Sequence, residues 1–192
     1  MITYNTPGVV YGHNAGLNTI SVAATPASVP NSRPNSTTGP FPFPHNSNNK
    51  VEVFSSDGPR RIFYNPNGTE ITPGNLLFGT DGGTVLQKPD LTAADGTLTV
   101  TPGFIPFFGT SASAPHVAAI AALVKSAAPL LTAAQIKAAL IASCIDIETP
   151  GVDRDAGAGI VMAVEAIEAA GVAAPAYLTQ GVVNAVEGSY GN

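Results

Sequence analysis

The sequence predicts an α/β or α+β domain, because its strand signals come first and its helical signals last. Two observations carry this. Short β-prone runs, parted by turn-forming dipeptides, fill the first hundred residues. From Ser111 onward the apolar period becomes that of a helix. A chain of 192 residues suits one domain with a substantial hydrophobic core.

The elements follow in order. Residues 8–12 (GVVYG) and 18–24 (NTISVAA) read as short strands. Residues 25–50 form a polar loop containing PNSRPNSTTGPFPFPHNSNN, long enough to be a surface insertion. Strand candidates resume at 51–54, 61–64, 84–87 and 97–101, separated by the turn signals SSDGP, NPNG, TDGG and AADG. A helix begins at Ser111, with Val117, Ile120, Ala121 and Val124 on one face. A second starts at Thr132, where Thr132 and Gln135 make a T-x-x-Q capping box and Ile136, Ala139 and Leu140 supply the apolar stripe. A third covers about 159–170, with Ile160, Val164 and Ile167 on one side. Residues 172–192 have no clear period and read as a tail or linker, leaving 1–171 as the domain.

Composition narrows the function classes. The formal charge is -5 and only 11% of residues are charged. No basic stripe exists to meet phosphates, which argues against a nucleic-acid partner and against docking on an anionic membrane. No apolar run approaches the roughly 20 residues of a membrane span. The single cysteine, Cys144, rules out an internal disulfide and reads as a structural thiol in an apolar helix. MITYNTPGVV lacks the basic and apolar regions of a signal peptide. On this reading the protein is cytosolic, or Met1 is not the natural start of a longer chain.

The chemistry concentrates at Gly109-Thr110-Ser111-Ala112-Ser113, immediately before a small-sided apolar helix. A serine there is held by a rigid element. It also lies among unpaired N–H groups at the positive end of the helix, which can stabilise an oxyanion. Gly109 allows close approach of a substrate backbone. The plainer reading is an N-cap serine bonded to a helix N–H. On the sequence of this loop alone both readings stay open.

The longer string G-T-S-A-S-A-P-H-V-A-A (109–119) resembles the nucleophile signature of the subtilisin-like serine peptidases, the subtilases. Further segments match in order and spacing. NTISVAAT (18–25) resembles the family's I-x-V-G-A strand, and FSSDGP (54–59) its F-S-S-x-G-P turn. KPDLTA (88–93) is similar to its K-P-D-[IL]-x-A-P-G segment, and AGAGI (156–160) to the G-x-G-[LI] before a last helix. The resemblance covers roughly 8–170. It implies the C-terminal portion of a three-layer α/β domain, with a mainly parallel sheet and helices on both faces. It also implies a serine endopeptidase acting on polypeptides through an acyl-enzyme. Ser111 is then the nucleophile, Thr110 and Gly109 line the oxyanion region, and Ser113 is a packing residue.

Other parts of the pattern are missing. The family's D-[ST]-G and H-G-T-H motifs, which carry its acid and base, do not occur in the 192 residues. His116 lies five residues after Ser111, on a different helix face. His45 reads as a solvated loop residue and His13 as structural. Asn14 lies closer to the following strand than the family's A-x-G-N oxyanion segment does, and Asn5 fits that segment no better. The resemblance therefore implies that the rest of the peptidase domain lies upstream and supplies the acid and base. The parent protein would be extracellular or on the cell surface, and this stretch alone would fold poorly and show little activity. A non-catalytic remnant or binding domain of a larger extracellular protein is the alternative. A sedolisin-type acid peptidase shares G-T-S-A-S, but P-H-V-A favours the subtilisin side.

The aspartates Asp57, Asp81, Asp90, Asp95, Asp153 and Asp155 read as turn residues. No cofactor is expected. Structural calcium, which some subtilases bind through loop carboxylates, would draw on Asp153 and Asp155, though their spacing is not that of an EF-hand.

Overall fold

The computed structural model describes residues 8–30, 36–77 and 79–173; the tail at 174–192 and Asn5 lie outside them. A short 3-10 helix, Gly12–Ala15, precedes strand β1 (Val22–Pro26). Then come β2 (Arg60–Ile62), β3 (Thr84–Leu86) and β4 (Leu91–Asp95). Three helices complete the order: α1 (Thr110–Ala127), α2 (Ala133–Ala142) and α3 (Ala163–Ala169).

The fold is α/β. β1 and β4 pair in parallel, in register from Val22↔Leu91 to Pro26↔Asp95. The ladder continues past β4, where Thr92 bridges Ile160 in parallel and Ile160 bridges Ile145 antiparallel. β2 and β3 form a separate antiparallel pair. Leu91 and Ala93 of β4 pack with Val117 and Val124 of α1, Leu140 of α2 and Ile167 of α3 in one buried cluster. A second, smaller cluster gathers Ile147, Ala156 and Ile160. α1 thus lies against β4, so the end of that strand fixes where the helix begins.

Several strand expectations change. Residues 8–12 are not a strand: Val9 and Val10 donate their N–H groups to the Asp57 carbonyl, and Gly12 turns the chain at φ 63°. Residues 51–54 and 97–101 are turns and loops, with only Thr97 bridged, to Phe107. β4, which the strand signals do not predict, starts inside KPDLTA and ends on Asp95 of AADG. It is buried along nearly its whole length, so it lacks the alternation that marks a half-exposed strand. The third helix is shorter than expected, because Gly159–Val161 join the sheet instead.

The matched motifs interlock. Ser55 Oγ accepts the Ala24 N–H at 3.0 Å. A Cβ on Gly58 would fall 1.6 Å from the Lys88 carbonyl oxygen, so FSSDGP can pack against KPD only with glycine there. At α2 both hydrogen bonds of the Thr132–Gln135 capping box are made, at 3.3 and 2.9 Å.

Candidate active site

α1 begins where the loop after β4 returns to the sheet. Gly96 and Thr97 donate N–H groups to the Phe107 carbonyl, and Phe107 donates back to Thr97. These bonds close a neck under residues 98–106. Gly109 follows as the N-cap of α1 with φ 137°, a conformation open to glycine and strained for other residues. The Gly109 carbonyl accepts from Ala112 and Ser113, which starts the helix.

Ser111 is the second residue of α1 and is exposed. As first-turn residues, Thr110 and Ser111 have N–H groups with no acceptor within the helix. Pro115 lies in the second turn of α1. It has no N–H to give the Ser111 carbonyl, so that helical bond is absent. Ser113, by contrast, is fully buried, and its hydroxyl has no hydrogen-bond partner among the described residues. Of the two serines, only Ser111 is open to solvent.

Thr110 lines a cleft of about 480 Å³ with Tyr11, His13, Asn14, Ser21 and Ser56. No local pattern in the sequence brings His13 and Asn14 to this place. The link is long-range: Asp57 holds Val9 and Val10 through its carbonyl, and its carboxylate also accepts the Val9 N–H. Arg154 pairs with that carboxylate from the other side. The FSSDGP turn therefore draws the residues after Gly8 up to the start of α1.

The other histidines lie elsewhere. His116 Nδ1 sits 2.9 Å from the Ala94 carbonyl, which makes Nδ1 the donor and ties α1 to β4. His45 is half-buried rather than solvated; burial lowers its pKa and a bond with Asn49 works against this.

Asp95, a turn residue by its sequence context, is instead fully buried at the end of β4. Its Oδ2 accepts the Gly109 N–H at 2.7 Å. Burial pushes its carboxyl above the usual range, while the Gly109 bond and the nearby His116 pull it back. The charged form thus costs more in the folded chain than in the unfolded one. That cost is absent below the unfolded pKa and is felt as pH rises through the folded value. The signal for Asp95 lay in a departure: AADG stands where the resembled segment has A-P-G.

Asp153 is committed to its own turn, accepting N–H groups from Thr149, Asp155 and Ala156. Among the described residues no three His, Cys, Asp or Glu side chains are grouped to hold a metal ion, and no helix is long and apolar enough to cross a membrane.

Cys144 is not a candidate nucleophile. Its thiol donates to the Leu140 carbonyl at 3.3 Å, and burial pushes its pKa up to about 12. It stays protonated at neutral pH. Iodoacetamide at pH 8 is expected to modify it at least ~10-fold more slowly in the native protein than in denaturant. Equal rates would show that the thiol is open to solvent.

Comparison with known proteins gives two matches. A family model described as the subtilase family matches residues 3–159. The subtilisin-like protease SBT2.6 of Arabidopsis thaliana is 31% identical over 110 residues, which is 57% of this chain and 13% of that protein. The match thus spans a small part of the relative's length.

Proposed function

The chain belongs to the subtilase family, and from that membership we propose that it carries the nucleophile of a serine endopeptidase. The observation that supports this best is the exposed Ser111 at the start of α1, inside the G-T-S-A-S-A-P-H-V-A-A string. Ser111 Oγ attacks the carbonyl carbon of a peptide bond and gives its proton to a histidine base. The carbonyl oxygen becomes an oxyanion, held by the Ser111 N–H and by donors lining the cleft near Thr110. The amine leaves with the proton from the base, and an acyl ester remains on Ser111. Water then hydrolyses the ester and restores the hydroxyl.

Serine needs that base, and the base needs an orienting carboxylate. We assign both to the remainder of the peptidase domain, upstream of this stretch. The substrates are polypeptides, and the protein acts at the cell surface or outside the cell. A non-catalytic role is the second reading, favoured by the absence of D-[ST]-G and H-G-T-H from these residues.

A fluorophosphonate separates the two. Treatment of the full-length protein, followed by peptide mass spectrometry, is expected to place the phosphonate on Ser111 alone. An unlabelled Ser111 in folded protein would leave the non-catalytic reading in possession.

A further inference from the structure

We propose that Asp95 is a positioning residue for Ser111: its carboxylate fixes the first turn of α1 on the end of β4. This inference rests on the peptidase reading of Ser111 and extends it to a residue outside the matched nucleophile string.

The geometry begins with the sheet. Asp95 is the last residue of β4, in register with Pro26 of β1, and both are fully buried. The chain then leaves the sheet, makes the excursion at 98–106 and returns through Phe107. A loop of that length does not by itself define where the following helix starts. Two contacts do. Asp95 Oδ2 takes the Gly109 N–H at 2.7 Å, and His116 Nδ1 meets the Ala94 carbonyl at 2.9 Å. Adjacent residues at the end of β4 thus grip α1 at its N-cap and again two turns on. Ser111 lies between the grips, two residues from the first.

The choice of a carboxylate is informative. Any small polar acceptor could satisfy one N–H. A carboxylate makes the shorter, stronger, charge-assisted bond. It does so here at a cost in stability, since Asp95 is fully buried and its Oδ1 has no hydrogen-bond partner among the described residues. Costly buried groups of this kind concentrate where geometry matters for chemistry. Gly109 has the matching demand: its φ of 137° must be held, because glycine has many other conformations available. A nucleophile displaced by even about 1 Å loses on the order of 100-fold in rate.

The test compares Asp95→Ala and Asp95→Asn in the full-length protein, with a peptide anilide as substrate. Asp95→Ala is expected to lower kcat about 100-fold with KM nearly unchanged. Asp95→Asn keeps an oxygen that can accept the Gly109 N–H, and is expected to stay within about tenfold of wild type. Hydrogen exchange at the Gly109 amide should quicken in Asp95→Ala and remain slow in Asp95→Asn. A change in KM with kcat intact, an Asn variant no better than the Ala variant, or unchanged Gly109 exchange would each overturn the proposal. If Asp95→Ala does not fold, Asp95→Ser, whose shorter side chain stops short of the Gly109 N–H, takes its place in each comparison with Asp95→Asn. Failure of the peptidase reading looks different: the wild-type protein itself is then inactive and Ser111 takes no phosphonate.

Discussion

Replacing Ser111 by Ala in the full-length protein is expected to lower kcat by about 10⁶-fold, the scale on which a serine peptidase loses its nucleophile. The fold should not notice. Ser111 is exposed and alanine is the better helix former, so the thermal midpoint is expected to hold or rise slightly. The internal control is Ser113→Ala. That hydroxyl is buried with no hydrogen-bond partner among the described residues, so its removal discards an uncompensated polar group. The Ser113 variant is expected to keep activity and stability alike. Steady-state kinetics on one peptide substrate reads both variants. Full turnover by the Ser111 variant would end the nucleophile assignment, and loss of turnover in the Ser113 variant alone would move it two residues along the helix.

What could be read from the sequence divides by range. α1 and α2 were legible because their signals are local: the i, i+3, i+4, i+7 spacing from Val117 and the Thr132–Gln135 box both act within a few residues. β4 was not, because a strand buried on both faces shows no alternation, and the Asp95-Gly96 pair at its end reads as a turn. GVVYG misled in the opposite sense. Its apolar composition suggests a strand, but its N–H groups are taken by Asp57, nearly fifty residues away. The same limit applies to the site. Gly109, Thr110 and Ser111 are contiguous and could be found together from the string. The approach of His13 and Asn14 to Thr110, and the grip of Asp95 on Gly109, depend on how distant segments meet.

The largest effect on stability is expected at Asp90. Its carboxylate gathers three donors at the start of β4. Lys88 Nζ lies 2.7 Å from Oδ2, the Ser21 N–H reaches the same oxygen at 2.7 Å, and Lys137 Nζ lies 2.5 Å from Oδ1. The Lys88 side chain is 2% exposed, and its other partner is the Thr19 carbonyl at 2.6 Å. Asp90→Ala therefore leaves an ammonium group in the interior with one neutral acceptor. Breaking a buried pair from one side costs about 3–5 kcal/mol, which for a domain of this size lowers the thermal midpoint by roughly 10 °C. Lys137 matters less, since its side chain is 26% exposed and water can replace the carboxylate. If the stranded charge is the cause, removing it should relieve the loss. The double variant Lys88→Met with Asp90→Ala is expected to be more stable than Asp90→Ala alone by about 1 kcal/mol or more, the lower range of coupling between contacting residues. Denaturant melts of the two variants check this directly. A loss below about 1 kcal/mol in Asp90→Ala would put the cluster in the class of surface pairs. The outcome bears on the site as well, because β4 is a short lever. Asp90 fastens its beginning to Ser21 at the entry to β1, and Asp95 at its end holds the turn that presents Ser111. Loosening the first anchor should therefore reduce turnover at temperatures below the melt, with no change at Ser111 itself.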